Sequence, residues 1–255
     1  MHGDLSMADR LLRDKDWIAR TPGLANGGIA LAVVEPDTVG WSKIASLLDD
    51  YGFIAFASAD KQTVFDQIRK RLGDEGDLPY WDSFTASASV ALSASDGIIQ
   101  SSDNASTLAS DQFPDADTIR EVVSLNREVG VSPLPAWYKQ SEGPPSLTSW
   151  IRSIDGRMIA CANGSMRYHS DSRMAGTYYV GSVSVSPSNR GKGLGTLVTA
   201  LLIRDGVRAF SPTTVTGVAQ PTNMPSRAML TRCGLVHDPS RATVIYNRSG
   251  AFHTR

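Results

Sequence analysis

Apolar residues recur at helical spacing in one stretch of the C-terminal half of the chain. They fall at i, i+3, i+4, i+7 and i+8, which is the pattern of a helix that buries one face. These residues are Leu194, Leu197, Val198, Leu201 and Leu202. The segment before them, residues 177–186, alternates in the manner of a strand. The chain is therefore predicted to pass from a strand through a glycine-rich turn into an amphipathic helix.

The rest of the C-terminal half alternates strand and helix patterns. A helix is predicted to begin near Asp117 or Thr118, either of which can cap it. The Asp155-Gly156 dipeptide between two alternating segments is a strong hairpin signal. The predicted strands are residues 146–154, 157–168, 177–186, 213–218 and 242–246, and further helices are predicted at residues 117–129 and 226–233.

The N-terminal part also has α/β character. Strands are predicted at residues 29–34, 53–57 and 85–92, with amphipathic helical patterns between them. Residues 101–117 are rich in Ser, Asp and Asn and are the best candidate for a linker. The sequence thus predicts an N-terminal α/β region of unknown role at residues 1–110 and a second domain at residues 118–248.

Composition narrows the class of ligand. The 255 residues include 25 basic and 26 acidic side chains, a formal net charge of -1, without a basic run. Nucleic acid and anionic membranes are therefore not expected partners. No apolar run approaches the roughly 18 residues of a membrane span, and the first residues lack the pattern of a secretory leader. We expect a soluble, cytoplasmic protein whose ligand is a discrete phosphate-bearing molecule.

The two cysteines give no sign of a metal centre or a disulfide. Cys161 and Cys233 are far apart in sequence, and neither belongs to a Cys-x-x-Cys or Cys/His cluster. We expect both to be buried free thiols, and we expect no bound metal.

The glycine turn carries the strongest chemical signal. Small residues ahead of a helix N-terminus form a cradle for phosphate. A Walker A loop is excluded because Gly193 follows Lys192 where Ser or Thr is needed. A dinucleotide fingerprint is excluded because Thr196 and Val198 stand where its last glycine is needed. The pattern that remains is Arg-x-x-Gly-x-Gly, which Arg190, Gly193 and Gly195 satisfy.

This pattern and a second one downstream resemble motifs of the GCN5-related N-acetyltransferase (GNAT) family. The second is Asn223-x-x-Ser226-x-x-Met229-Leu230-x-x-x-Gly234-Leu235, which is close to the family's Asn-x-x-Ala-x-x-Leu-Tyr-x-x-x-Gly-Phe. The order of predicted elements over residues 118–247, about half of the chain, is also the family's. The resemblance implies an α/β fold with a mixed, mostly antiparallel sheet in which two strands splay apart. The N-terminal region is either an unrelated α/β unit or a degenerate second GNAT-like copy.

The resemblance implies a site for acetyl-CoA as co-substrate. The pyrophosphate would rest on backbone N–H groups of the turn, and the pantetheine arm would pair with the strand before it. The cofactor-binding residues implied in this way are Val183, Ser184, Val185, Arg190, Gly191, Lys192, Gly193, Leu194, Gly195, Thr196, Asn223 and Ser226. A solvated charge is the alternative for Arg190, and a helix cap is the alternative for Asn223.

The catalytic groups are less clearly indicated. The backbone N–H of Val185 would polarise the acyl carbonyl. The family's usual acid, a Tyr that protonates the departing thiolate, is replaced by Leu230. The candidates lie on the predicted strand at residues 177–186, called the reaction strand below. They are Tyr178 and Tyr179, with Ser182 and Ser184 as water-positioning or substrate contacts. Only one of the two tyrosines can face the core on an alternating strand, and water is the alternative acid.

Other polar and aromatic residues are weaker candidates. His169 lies in a predicted loop, where a solvated side chain is the alternative to substrate binding or proton transfer. If the N-terminal region covers the acceptor side of the site, the candidates for substrate contacts are Trp81, Asp82, Trp137 and Tyr138. A structural role is the alternative for each of these four.

The predicted activity is transfer of an acetyl group from acetyl-CoA to the amine of a small molecule such as an amino acid, a polyamine or an antibiotic. Two alternatives stay open. One is acetylation of protein or peptide amines, and the other is an acyl-CoA-binding regulatory module without turnover, which Leu230 favours. A homodimer is compatible with the sequence.

Overall fold

The computed structural model describes residues 6–73, 78–102, 108–139 and 142–247. The strands are β1 (Leu24–Asn26), β2 (Leu31–Val33), β3 (Phe53–Asp60), β4 (Tyr80–Ser87), β5 (Leu108–Asp111), β6 (Ser146–Arg152), β7 (Met158–Ser165), β8 (Thr177–Val185), β9 (Thr214–Ala219) and β10 (Val236–Asn247). The α-helices are α1 (Met7–Arg13), α2 (Lys15–Ala19), α3 (Pro36–Val39), α4 (Trp41–Tyr51), α5 (Lys61–Leu72), α6 (Ala88–Gln100), α7 (Ala116–Glu128), α8 (Leu194–Phe210) and α9 (Met224–Arg232). Short 3-10 helices lie at Ala136–Lys139 and Pro187–Asn189.

The ten strands of the described residues form one sheet, in the order β1-β2-β3-β10-β4-β9-β8-β7-β6-β5. The pairs β2–β3 and β8–β9 are parallel. The other neighbouring pairs are antiparallel. The predicted fold class, an α/β protein with a mixed and mostly antiparallel sheet, is confirmed.

The sheet contains one arrangement twice. β2, α4 and β3 form a parallel crossover in the N-terminal half, as β8, α8 and β9 do in the C-terminal half. In each half a further helix then leads to a long strand, β4 or β10. These two strands are exchanged, because β10 lies between β3 and β4 while β4 lies between β9 and β10. Each half therefore completes the sheet of the other, and the N-terminal region has the form of a second copy of the C-terminal one.

The two halves also share their hydrophobic cores. In the C-terminal half α8 packs on β6, β7 and β8 and against α6, and the predicted apolar stripe of α8 is buried. In the N-terminal half the core holds Ile44 and Leu48 of α4 together with Val244 and Tyr246 of β10. The last strand of the chain thus stabilises the first half by burying apolar side chains there.

One predicted strand is wrong in its position. The prediction placed residues 85–92 in a strand, whereas β4 ends at Ser87 and α6 begins at Ala88. The Ser87 hydroxyl accepts a hydrogen bond from the Val90 N–H at 3.4 Å, which is an N-terminal cap. The alternation of small residues after Ser87 resembles a strand, but Ala88 and Ala91 are buried on a helix that packs against α8.

The predicted linker, residues 101–117, lies partly outside the described residues. Within it, Leu108–Asp111 forms β5 and pairs with β6, and α7 begins at Ala116. β4 and α6, which the predicted limits assign to the N-terminal region, contact β9 and α8. The domain limits at residues 1–110 and 118–248 stay a prediction.

Candidate functional site

The parallel strands β8 and β9 separate halfway along their length. Their pairing runs from Thr177 opposite Thr214 to Val180 opposite Gly217 and then ends. β8 continues to Val185 along β7, and β9 continues to Ala219 along β4. The two strands therefore diverge, and backbone groups at the facing edge of residues 181–185 are not used by β9.

A bulge sets the direction of the exposed edge of β8. Ser182 has a φ of 50°, and the register with β7 shifts between Cys161 and Asn163. Beyond the bulge, the Ser186 N–H donates to the Ile159 carbonyl of β7 at 2.9 Å. Because backbone groups alternate along a strand, the N–H groups of Val185 and Val183 face the opposite way, into the opening between β8 and β9.

The glycine turn leaves the start of α8 open. Gly191 and Gly193 have φ values of 77° and 76°, and a Cβ built on either would meet nothing within 4 Å. Gly193 is the N-cap of α8 and provides no side-chain hydrogen bond to the first turn. The first N–H groups of α8 are therefore open to a ligand at this end of the opening, and their use as a phosphate site stays a prediction.

Basic side chains stand around this turn. Arg190 and Lys192 are exposed, and the Lys192 ammonium donates to the Asn189 amide oxygen at 3.1 Å. Lys192 also lines a hollow of about 240 Å³ together with Thr196 and Arg232. The positive charges at this turn suit the phosphates of a nucleotide-bearing ligand, and these side chains do not line the cleft that includes Val183.

Asn223 and Ser226 lie at the start of α9, across the opening from β8. The Asn223 side-chain oxygen accepts from the Ser226 N–H at 3.1 Å, so Asn223 caps α9. Both residues also line the cleft that includes Val183. The capping role of Asn223 is thus observed, and its contact with a cofactor stays a prediction.

The cleft reaches across the sheet. It has a volume of about 300 Å³ and is lined on one side by Met229 and Leu230 of α9. On the other side it is lined by Trp81, Tyr168 and Ile245, next to alanines of β2 and β3. Residues of β2, β3 and β4 from the N-terminal half and of β10 from the C-terminal half therefore form this wall together.

The two candidate tyrosines point to opposite faces of β8. Tyr178 is fully buried behind α8, where a Cβ at Gly206 would stand 2.3 Å from its ring. Its hydroxyl has no hydrogen-bond partner, and burial raises its pKa well above the ordinary value. Tyr179 instead lines the cleft. Its ring lies along the strand, because a Cβ at Gly181 would stand 3.2 Å from the Tyr179 hydroxyl.

Arg167 stacks on the Tyr179 ring. Its guanidinium carbon lies 3.8 Å from the ring centroid, and its Nε donates to the Ser165 hydroxyl at 3.0 Å. Burial raises the pKa of Tyr179, while the charge of Arg167 acts to lower it. Arg167 was not among the residues predicted from the sequence. The one signal for it was a cation beside aromatic Tyr168 at the end of a strand.

Ser184 lies on the other face of β8, outside the cleft. Its hydroxyl donates to the Asn126 side-chain oxygen of α7 at 2.8 Å. The Cys161 thiol contacts the same oxygen at 3.4 Å, and burial raises its pKa to about 12. The side chain of Ser184 is therefore occupied in a buried polar cluster, and only its backbone belongs to the reaction strand. Cys161 and Cys233 are buried free thiols, as predicted.

The candidate substrate contacts have different environments. Trp81 lines the cleft, whereas Asp82 points to the other face of β4 and forms ion pairs with Lys61 at 2.8 Å and Arg227 at 2.5 Å. These hydrogen-bonded cations hold the pKa of Asp82 below its ordinary value against the effect of burial. Asp82 is therefore bound within the fold, and Trp81 is the β4 residue that a ligand in the cleft would meet.

Tyr138, Trp137 and His169 make their contacts within the fold. Tyr138 is buried, and its hydroxyl bonds to the Asn26 carbonyl at 3.1 Å and to the Ser165 hydroxyl at 2.9 Å. Trp137 packs against the N-terminal core. His169 accepts from the Asp171 N–H at 3.0 Å within its own loop and does not line the cleft.

Two further observations bear on the class of protein. In the part of the chain that the structure describes, no group of three or more His, Cys, Asp or Glu residues could hold a metal ion. Over the same residues, no helix has both the length and the apolar character needed to cross a membrane.

Solved structures resemble the whole chain in fold. A GCN5-related N-acetyltransferase from Kribbella flavida is 13% identical with a TM-score of 0.58, and the match covers 97% of this chain and 97% of that one. A putative GNAT acetyltransferase from Novosphingobium aromaticivorans is 16% identical with a TM-score of 0.56, covering 96% and 97%. A tandem GNAT protein from the clavulanic acid biosynthesis pathway is 11% identical with a TM-score of 0.51, covering 88% and 76%. At these identities the likeness shows the fold, and the tandem neighbour agrees with a GNAT-like first half.

The sequence comparison is confined to the second half. No curated protein sequence matches the chain. Residues 112–235 match the model of the Acetyltransferase (GNAT) family, and this range contains the bulged strand β8, the glycine turn and all of α9. Residues 112–235 therefore form a domain that matches the GNAT acetyltransferase family.

Proposed function

We propose that the protein is an acetyl-CoA-dependent N-acetyltransferase that acts on the amine of a small molecule. The observation that carries the proposal is the combination of an uncapped, glycine-lined start of α8 with the separation of β8 from β9 beyond Val180. The first feature suits a pyrophosphate, and the second leaves backbone donors and acceptors for an extended arm. Acetyl-CoA, when bound, supplies an activated acyl group and a thiolate leaving group.

The glycine turn and β8 would hold the co-substrate through their backbones. The N–H groups of residues 190–196 would bind the pyrophosphate, and Lys192 and Arg232 would add charge beside it. Val185 lies next to the turn, since its Cγ2 is 3.6 Å from a Cβ built on Gly195. Its N–H would therefore bind the arm rather than polarise the acyl carbonyl, which is the role that the resemblance implies for Val185. The N–H of Val183, nearer the bulge, would polarise the acyl carbonyl instead.

Tyr179 would protonate the departing sulfur. Its hydroxyl lies against Gly181, at the end of the opening remote from the glycine turn. Its raised pKa keeps the proton in place at neutral pH. Leu230, which stands where the family has a Tyr, packs on Gly217 and has no proton to give. Tyr179 can therefore take the role that the sequence leaves vacant.

The step balances with one amine and one thioester. The amine nitrogen forms a bond to the acyl carbon, the bond from that carbon to sulfur breaks, and the nitrogen loses one proton to solvent. The sulfur takes a proton from the Tyr179 hydroxyl, which regains one from water. The products are an N-acetyl amide and a free thiol.

A small acceptor fits the cleft better than a protein does. The wall opposite the splayed strands is made by β2, β3 and β10 of the same chain, and this wall would limit the size of an acceptor in the cleft. A regulatory module without turnover is the second candidate, and the observation that favours it is Leu230. The cytoplasmic location and the homodimer stay predictions.

Release of free thiol from acetyl-CoA by the purified full-length chain tests the proposal. A panel of amino acids, polyamines, aminoglycosides and peptides would be supplied as acceptors, with coenzyme A binding measured by calorimetry in parallel. Thiol release with a small amine supports the enzyme. Tight coenzyme binding without thiol release for any acceptor supports the regulatory module, and absence of coenzyme binding contradicts both.

A further inference from the structure

Arg167 is a cation in the cleft without an anionic partner. None of the described Asp and Glu side chains forms an ion pair with it. We propose that Arg167 binds the carboxylate of the acceptor, and that the acceptor is an α-amino acid with an apolar or aromatic side chain. This inference rests on the proposed acetyltransferase function and specifies its substrate class.

The environment of Arg167 leaves most of its donors available to a ligand. A guanidinium carries five N–H donors in a planar fork, and here the Nε–H donates to the Ser165 hydroxyl at 3.0 Å. The rest of its surroundings are aromatic faces, Tyr179 at 3.8 Å and Tyr138 at 6.0 Å from the guanidinium carbon. Nη1 lies 3.7 Å from a Cβ built on Gly27, another residue of the cleft wall. A partly buried Arg gains most from a carboxylate, which it binds in a bidentate manner.

The charges of the cleft select against polycations. Among the described residues that line it, Arg167 is the charged side chain, and no Asp or Glu is present. A polyamine or an aminoglycoside would bring several ammonium groups to a cation with no carboxylate to offset them. A zwitterionic amino acid instead presents a carboxylate to Arg167, and its amine can lose its proton to reach the reactive form.

The distances require the amine and the carboxylate to be close together. Tyr179 joins the two ends of the acceptor site, because its ring stacks under Arg167 and its hydroxyl lies against Gly181 of the reaction strand. The carboxylate of the acceptor would lie at the ring of Tyr179, beside Arg167, and its amine would lie near the Tyr179 hydroxyl. These two groups must therefore be within a few bonds of each other. An α-amino acid meets this condition.

The remaining walls are uncharged. Trp81 and Ile245 face the cleft together with Ala30 and Ala55, whose small side chains leave room beside β2 and β3. The polar side chains in this part of the lining, Tyr168 and Thr243, bear hydroxyl groups and no carboxylate, so a charged acceptor side chain would lose its hydration without gaining an ion-pair partner. The pocket therefore favours an uncharged side chain, and Trp81 and Ile245 offer apolar contact to an aromatic or branched aliphatic one.

Matched acceptors that differ only in the carboxylate test the inference. The pairs are L-phenylalanine with 2-phenylethylamine and L-leucine with 3-methylbutylamine, and kcat and KM are measured by thiol release with the full-length chain. We expect the amino acid of each pair to have the higher kcat/KM by about 10-fold or more, the usual worth of a charge-assisted hydrogen bond. Spermidine should be a poor acceptor.

Substitution of Arg167 separates carboxylate binding from support of Tyr179. Arg167→Met should raise KM for the amino acids by about 10-fold or more and leave KM for the amines nearly unchanged, and Arg167→Lys should restore part of the loss. Arg157→Met, at an exposed arginine of the β6–β7 hairpin, is the control. An equal loss for both members of each pair would overturn the inference while leaving the acetyltransferase intact.

Direct binding tests Arg167 even without turnover. If the wild-type chain acetylates none of these acceptors, calorimetric titration with N-acetyl-L-phenylalanine and N-acetyl-2-phenylethylamine in the presence of coenzyme A measures the same preference. Tighter binding of the acid, lost in Arg167→Met, supports the carboxylate site although the proposed function fails. Equal binding of the two, or binding of neither, overturns it.

Discussion

The Tyr179 ring lies over Gly181, so closely that a Cβ added to the glycine would stand 2.9 Å from the Cε1 atom of the ring. The two residues are two apart on β8 and so project from the same face of the strand. The absence of a side chain at Gly181 is what lets the Tyr179 ring and hydroxyl lie along β8 within the cleft.

Gly181→Ala should displace the Tyr179 ring and lower kcat/KM by roughly 10- to 100-fold, because a displacement of about 1 Å from a working geometry is that costly. Coenzyme A binding should be nearly unchanged, since the glycine turn is not touched. Gly97→Ala on α6, where a Cβ would meet nothing within 4 Å, is the matched control and should keep full activity. Equal kinetics for Gly181→Ala and the wild type would remove the support for this geometry.

Tyr179→Phe should lower kcat by about 100-fold if the hydroxyl is the acid. Tyr178→Phe is its control, because the Tyr178 hydroxyl is buried without a partner and lies outside the cleft. That variant should keep wild-type kcat and be as stable as the wild type or more so, since it removes an unsatisfied polar group. Steady-state kinetics and thermal unfolding measure both. If Tyr179→Phe retains full kcat, water is the better candidate for the acid.

The pH dependence should follow the same residue. Burial raises the pKa of Tyr179 above its ordinary value, so its proton is present throughout the neutral range and is lost only in strongly alkaline solution. We therefore expect kcat to have no alkaline loss between pH 7 and about 9, because of the two reacting groups the amine titrates there and Tyr179 does not. A fall of kcat within this range would contradict the assignment.

Gly193→Asp should abolish or strongly weaken coenzyme A binding. It adds a carboxylate where a pyrophosphate would rest, at a position whose φ of 76° also disfavours any side chain. Gly156→Asp is the matched control. It adds the same carboxylate at a glycine with a similar φ of 82°, in an open hairpin turn away from the cleft. Both variants should lose about 1 kcal/mol of unfolding free energy from backbone strain, yet only the first should lose binding in calorimetry. Equal binding by the two would contradict the anion site.

Sequence patterns predicted those elements whose structure depends on neighbouring residues alone. The stripe of α8, the hairpin at Asp155-Gly156 and the open turn at Gly193 each follow from spacing or from a glycine's φ, and each is present. The exchange of β4 and β10 could not be predicted in this way, because strand order depends on pairing between distant segments. The short strand β5 was likewise missed, since four residues carry too little periodicity.

The same distinction between local features and contacts of distant segments applies to the candidate site. The glycine turn was predicted because it sits within one continuous segment, whereas the separation of β8 from β9 was implied by the resemblance to the GNAT family and the bulge at Ser182 was not predicted. The stack of Arg167 on Tyr179 joins a residue just after the end of β7 to one on β8, and Trp81 reaches the cleft because β4 is inserted beside β9. Tyr178 and Tyr179 could not be distinguished from sequence, since alternation says that they differ in face but not which of them faces the cleft.

Lys139 gives a prediction for stability. Its ammonium is buried without a hydrogen-bond partner, and burial lowers its pKa to about 8 from an ordinary value of 10.5. Below pH 8 the ammonium is charged in both the folded and the unfolded chain, so the folded state bears its full desolvation cost. Between about pH 8 and 10.5 only the folded chain has lost the proton, and stability therefore rises with pH over this window.

Lys139→Met should remove that cost. We expect the variant to be more stable than the wild type at pH 7 by on the order of 1 to 3 kcal/mol, and the difference to shrink as the pH approaches 10. Urea unfolding at pH 7, 8.5 and 10 measures it, and comparing the two chains at each pH cancels the titration of Cys161 and Cys233, which both retain. A difference that does not change with pH would mean that the ammonium is paired or solvated in solution.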